Sequence, residues 1–237
     1  RLLLILNGSV FLLQLLMGSG LGISGRAGLH PFAQYFALIP TYVVEYGYVW
    51  QLITYQFLHG GLFHILINML VLWMFGTELE RVWGSTGFIR FYLTCGVAAG
   101  VSMILFHYVT VPTVGASGAI YGLLGAFALL WPDRELYLLV FFILPVRIKA
   151  KYLVALVGII SLVSGLSGAQ SGIAHVAHLG GLAMGLFYAW AGDPRRPLLG
   201  PLTHWFKKRR VEKKKREWEQ QEKRRQEMVD EADRILD

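Results

Sequence analysis

Gly115-Ala116-Ser117-Gly118-Ala119-Ile120-Tyr121-Gly122-Leu123-Leu124-Gly125 opens an apolar run covering about residues 115–132. The run has the length, ~17–25 residues, at which a helix crosses a bilayer. Such a segment is a costly place for polar groups, yet a serine hydroxyl stands at its start. Gly118 and Gly122 are four apart, with Gly125 three further on. Small residues at that spacing let two helix backbones approach closely in lipid. Ser117 and Tyr121 are also four apart and therefore share a face.

A second apolar run, about 172–192, repeats the pattern around a histidine. His178, Gly181 and Gly185 fall at i, i+3 and i+7, on one helical face. Two glycine-lined faces pressed together would bring the Ser117 hydroxyl beside the His178 imidazole. Serine is a weak nucleophile until an adjacent base removes its proton, so the pair points to acyl chemistry within the membrane.

Composition agrees with a membrane domain. The 237 residues are 55% hydrophobic, and charge is unevenly spread. Residues 1–192 hold eight Lys/Arg and five acids, whereas 193–237 hold fourteen and ten. The first part reads as an integral membrane domain and the second as a charged, water-soluble tail of helix-forming residues. The net charge of +7 is then a topology signal, and no nucleic-acid partner is inferred from it. Cys95 is the single cysteine, so an intrachain disulfide is impossible, and its apolar surroundings suit a packing role.

Further apolar runs cover about 2–21, 57–77 and 88–110. The region 136–167 is divided by Pro145 and the basic cluster Arg147, Lys149 and Lys151. Counting only its second part gives six spans, and this places Arg81, Arg90, Arg134, the cluster and the tail on the cytoplasmic side, with Arg26 opposite. The stretch 136–144 is then expected to lie along the cytoplasmic interface. The aromatic segment 22–50, with Tyr42, Tyr46, Tyr48 and Trp50, is expected at headgroup depth on the other side, where Ser117 also lies. The first run lacks a usual cleavage site and is read as a retained span.

A third element is His59-Gly60-Gly61-Leu62-Phe63-His64-Ile65-Leu66-Ile67-Asn68. His64 and Asn68 share a face at the same end as Ser117. Attack on an amide creates an oxyanion that needs preorganised donors. The Asn68 amide, the His64 ring and the backbone N–H groups at the start of the Ser117 helix can supply them; an interhelical hydrogen-bond clamp is the structural alternative. No HExxH motif occurs, no carboxylate lies within a span beside His175 and His178, and the serine is not in a G-x-S-x-G turn. A zinc site, an aspartate dyad and an α/β-hydrolase elbow are therefore not expected, and no metal or cofactor is invoked.

With these pieces in place, residues 1–192 resemble the rhomboid family of intramembrane serine proteases. The resemblance rests on His59, His64 and Asn68; on Glu80-Arg81-Val82-Trp83-Gly84-Ser85; on Gly115-Ala116-Ser117-Gly118 with Tyr121; and on Ala177-His178-Leu179-Gly180-Gly181 with Gly185. It implies an all-α, six-helix membrane bundle around a water-filled cavity, followed here by a charged cytoplasmic helix. It implies a Ser117–His178 dyad without an acid, Tyr121 stacked on His178, and His64, Asn68 and the Ser117 backbone N–H as oxyanion donors. Substrates would be transmembrane segments of other proteins, cut near the extracytoplasmic surface, with small residues before the cut and helix-weakening residues after it. The implied location is a plasma membrane of bacterial type; oligomeric state is not indicated. The family commonly carries Trp-Arg in its first loop, whereas this chain has Trp50-Gln51, an uncharged anchor.

The segment 164–172, glycine- and serine-rich, is expected to be a mobile lid lining the cavity. Two other classes compete. One is a catalytically idle rhomboid-like protein that binds membrane clients, disfavoured by the presence of both Ser117 and His178. The other is a transporter with a histidine relay, disfavoured by the lack of an intramembrane acid or an inverted repeat.

Overall fold

The computed structural model describes residues 1–17, 24–25, 28–29, 31–106, 112–140, 144–166 and 172–191. The charged tail, 193–237, and residues 167–171 of the expected lid lie outside the described residues.

The fold is predominantly helical. Helix α1 (Leu2–Leu16) is followed by a minute hairpin of β1 (Ser24–Gly25) and β2 (Gly28–Leu29). Three short helices then occupy the aromatic segment: α2 (Pro31–Phe36), α3 (Pro40–Tyr46) and α4 (Gln51–Thr54), with a 3₁₀ turn at Tyr55–Phe57. Pro40 suits the first turn of α3 because its missing N–H has no partner there. Gly47 ends that helix at φ +73°, and the Tyr48 N–H closes it on the Tyr42 carbonyl at 3.1 Å. This segment is thus more ordered than a loop.

Helix α5 runs Leu62–Phe106 but is broken at Gly84, whose φ of 70° and ψ of 161° are outside the helical range and open to glycine. The two halves meet at this one residue, so the stretch between the apolar runs 57–77 and 88–110 is helical on both sides of Gly84. The 45-residue α5 is long and apolar enough to cross a membrane. Helices α1, α6 (Ser117–Leu130) and α7 (Ala150–Leu166) are apolar but shorter, and α8 (Gly172–Trp190) completes the bundle.

The region between α6 and α7 corrects the all-α expectation. Strands β3 (Glu135–Val140) and β4 (Leu144–Lys149) form an antiparallel hairpin in register Glu135↔Lys149 through Val140↔Leu144. Alternation explains it: Val146 and Ile148 interleave with Arg147 and Lys149, a period-two pattern that a helix cannot segregate. Pro145 is tolerated because both strands of a two-stranded sheet are edges. Arg147 pairs with Glu135 at 3.3 Å, while Lys149 and Lys151 converge on Asp133 at 3.3 and 2.7 Å and hold its carboxyl below the ordinary aspartate range.

Helix α6 sits at the centre. Its residues Gly118–Ile120 and Gly122–Ala128 are buried, and it packs chiefly on α8 and α5. A helix that is apolar all round belongs in the middle of a bundle. The core around it includes Phe75, Phe91, Tyr92 and Cys95, together with its own Leu123 and Phe127. Cys95 lies against Gly122, in a packing position. Large apolar side chains stand on the outside of α5 and α7, among them Phe106 at 74% and Leu166 at 78% exposure. On a water-soluble protein such a surface would be an aggregation hazard; against acyl chains it is the expected exterior.

Candidate active site

Four elements meet at Ser117. The first residue of α6 keeps a backbone N–H that the helix does not use, because the first four donors of any helix lack intrahelical acceptors. The preceding Gly115 has φ +125°, a conformation that side chains rarely adopt, and its N–H donates to the Tyr55 carbonyl at 2.9 Å. Space is short there as well: a Cβ on Gly115 would lie 2.8 Å from the His64 ring and 3.8 Å from the Asn68 Nδ2. The approach to Ser117 is therefore laid directly on the two side chains of α5 that share a face.

Helix α8 closes the other side. The His178 Nε2 lies 2.9 Å from the Ser117 Oγ, and both residues are half-buried. Glycines make this contact possible. A Cβ on Gly181 would overlap the Gly118 carbonyl oxygen, and one on Gly185 would overlap that of Gly122. Each backbone of one small-residue pair touches the other, the close approach that GxxxG faces permit.

The imidazole lies against an aromatic ring. Tyr121 stacks on His178 with centroids 4.1 Å apart and planes 5° from parallel. The His178 Nδ1 is buried without a hydrogen-bond partner among the described residues. His175 stands edge-on at 5.8 Å. Among the described residues no group of three or more His, Cys, Asp or Glu is arranged to hold a metal ion.

The His64 Nδ1 accepts the Gly60 N–H at 3.3 Å. In a neutral imidazole an accepting Nδ1 leaves the proton on Nε2, so the His64 Nε2–H is the nitrogen turned toward Gly115 as a donor. The Asn68 Nδ2 is buried and has no partner among the described residues, a second donor in reserve. His59 plays a different part. Its ring is buried edge-on to His64 at 5.1 Å, and its backbone N–H and carbonyl are both held by the Gln14 amide, at 3.0 and 3.2 Å.

Sequence reasoning passed over Gln14, although a lone amide in an apolar span is a signal in itself. It also left open what the uncharged Gln51 anchors, which the structure describes. Gln51 is fully buried; its Oε1 accepts the Ile39 N–H at 2.9 Å, and its Nε2 donates to the Gln34 and Tyr35 carbonyls at 3.0 and 3.4 Å. An amide presents both a donor and an acceptor, so it satisfies three backbone groups without a charge. The neighbouring Leu38 pairs through both backbone groups with Thr113, four residues before Ser117. A large cavity, about 960 Å³, lies away from this constellation, between Trp73, Glu78, Phe88, Phe127, Arg134 and Leu136. Phe127 is ten residues along α6 from Ser117, about 15 Å at helical rise, so that cavity is not the space around the serine.

The rhomboid domain family model matches residues 46–194. The rhomboid protease GluP of Bacillus subtilis is 37% identical over 114 residues, covering 48% of this chain and 22% of that protein. The putative rhomboid protease YdcA of the same organism is 36% identical over 84 residues, 35% of this chain and 42% of its own length. Human rhomboid-related protein 3 is 37% identical over 78 residues, 33% of this chain and 19% of its own length. The chain thus covers less than half of each of these relatives. The family model spans well over half of the chain, and on that match, with the serine, the histidine and their glycine faces inside it, the chain belongs to the rhomboid family of membrane proteins.

Proposed function

We propose that this chain is an intramembrane serine endopeptidase that cuts transmembrane segments of other proteins, using Ser117 as nucleophile and His178 as base. The observation that carries the proposal is the 2.9 Å contact between the Ser117 Oγ and the His178 Nε2. That distance is within hydrogen-bond reach of the proton to be removed.

The chemistry follows in balanced steps. The Ser117 Oγ attacks the scissile carbonyl carbon while its proton passes to the His178 Nε2. The carbonyl oxygen becomes an oxyanion, for which the Ser117 N–H, the His64 Nε2–H and the Asn68 Nδ2 are donors placed around Gly115. Collapse breaks the C–N bond, and His178 returns the proton to the leaving amine. A water then gives its proton to His178 and attacks the acyl-serine; the ester C–O bond breaks as His178 returns the proton to the Ser117 Oγ, restoring the hydroxyl and releasing the acid. Without a carboxylate behind it, the His178 ring is held for this work by the Tyr121 stack.

Six spans, formed by α1, the two halves of α5, α6, α7 and α8, are the topology in keeping with the charge distribution. Residues 193–237 then form a cytoplasmic tail, the hairpin at 135–149 lies at the cytoplasmic interface, and the serine opens toward the other side of a plasma membrane of bacterial type. Substrates have small residues before the cut and helix-weakening residues after it.

A fluorophosphonate probe tests the proposal. An adduct on Ser117, absent in the His178→Ala protein, together with cleavage of a reconstituted transmembrane substrate, is the expected result. A wild-type protein that binds transmembrane helices but neither cleaves them nor takes the probe would instead be an idle client-binding relative.

A further inference from the structure

Helix α7 reaches the candidate site with the side chain of Ser161. Its buried residues are Ala150, Val154 and Ser161, a narrow stripe facing the bundle, while Leu156, Ile159, Ile160, Leu162 and Val163 are exposed. Ser161 has no exposed surface, and a buried hydroxyl in an apolar helix is costly unless it is paired. Its Oγ lies 3.3 Å from the Tyr121 hydroxyl, on a helix forty residues away in sequence. Tyr121 is the ring stacked on His178.

We infer that Ser161 is a positioning residue: it tethers the Tyr121 hydroxyl to α7 and so fixes the plane of the ring that orients His178. The inference rests on the proposed Ser117–His178 chemistry. The imidazole has no described partner on Nδ1, so its orientation depends on the Tyr121 face. A tyrosine ring anchored only at its Cβ end can swing about its side-chain torsions. Holding its hydroxyl as well restrains both ends of the ring. The path from α7 to the reacting nitrogen is then Ser161 Oγ, Tyr121 hydroxyl, Tyr121 ring, His178 Nε2, in which each step is a direct contact and none is a charge. At 3.3 Å the tether is at the long end for two hydroxyls, so its effect is that of one modest neutral hydrogen bond.

The test uses the full chain reconstituted in lipid, with two readouts: cleavage kinetics on a transmembrane substrate, and the rate of fluorophosphonate adduct formation at Ser117. Ser161→Ala is expected to lower kcat roughly three- to tenfold, the range of one neutral hydrogen bond, with KM changed less than twofold. The adduct rate should fall by a similar factor, because the probe needs an oriented dyad and no transmembrane substrate. Ser161→Thr, which retains an Oγ, should recover most of the loss. Tyr121→Phe should match Ser161→Ala, and the double variant should lose no more than either, since both remove the same contact. Val163→Ala on the exposed face of α7 serves as the control with unchanged kinetics. Unchanged kcat and adduct rate in Ser161→Ala, or additive losses in the double variant, would overturn the inference. A raised KM with an unchanged adduct rate would also overturn it, by assigning α7 to substrate access instead. If the wild type forms no adduct at all, it is the proposed chemistry that fails, a different outcome from the loss of the tether.

Discussion

Gly181 faces the carbonyl oxygen of Gly118 so closely that a Cβ on Gly181 would overlap it. The overlap is with backbone, which cannot swing aside as a side chain can. One residue before Gly118 is Ser117, and one turn before Gly181 is His178. Helix spacing and the serine–histidine contact are therefore set at the same point.

Gly181→Ala is accordingly expected to push α8 away from α6, costing about 1–3 kcal/mol of stability as an overpacked core does, and to remove most proteolysis by lengthening the 2.9 Å contact. Gly8→Ala in α1, where a Cβ meets nothing within 4 Å, is the matched control and should be neutral or stabilising by about 0.5–1 kcal/mol. Thermal unfolding in detergent and cleavage of a reconstituted substrate check both. Full activity in Gly181→Ala would show that the helices have room that the static packing lacks.

Groups that act in one proton transfer lose function together rather than additively. Ser117→Ala, His178→Ala and the double variant should all fall to the same near-background cleavage while remaining folded in the membrane. Cys95→Ala should stay active, since that thiol is buried against Gly122 in a packing position. Substantial cleavage by purified Ser117→Ala would sink the nucleophile assignment.

For the oxyanion donors, Asn68→Ala and His64→Ala should each lower kcat by up to ~10²–10³-fold, the effect of removing one such donor, with smaller changes in KM. Steady-state kinetics on a soluble reporter peptide separate the two parameters. Full turnover in both single variants and in the double variant would reduce these side chains to an interhelical clamp.

Gln51 is expected to stabilise the segment that leads to the site. Gln51→Leu leaves the Ile39 N–H and the Gln34 and Tyr35 carbonyls without their present partner. Each buried group left unsatisfied costs about 1–3 kcal/mol, so a clear drop in Tm is expected, with a loss of activity transmitted through the Leu38–Thr113 pairing. Gln51→Glu, which keeps the acceptor and loses the donor, should fall below the wild type as well. An unchanged Tm in Gln51→Leu would mean that water replaces the amide.

Much of this protein is legible in its residues because the bilayer simplifies the problem. Apolar runs announce helices, glycines at four-residue spacing announce close contacts, and lone polar groups in apolar runs announce special sites; Ser117, His178, His64 and Asn68 all stand out by that rule. Other features were not legible. The stretch 136–144 is apolar enough to pass for an interfacial segment, and only the pairing of 135–140 with 144–149 made strands there. What Gln51 anchors was not legible because its three partners are set by the folding of the segment around it, not by its own neighbours in sequence.

Sequence by itself determined the membrane character, the central small-residue helix and the residue types available for acyl chemistry, since these depend on composition and on short periodic spacing. The tertiary structure alone decided which atoms meet. The 2.9 Å contact between Ser117 and His178, the parallel stack of Tyr121 and the reach of Ser161 to that tyrosine join residues up to sixty-one positions apart. The physical reason is that helix periodicity states which face a residue occupies, whereas the depth and rotation at which two faces dock are set by backbone contacts such as Gly118 with Gly181 and Gly122 with Gly185.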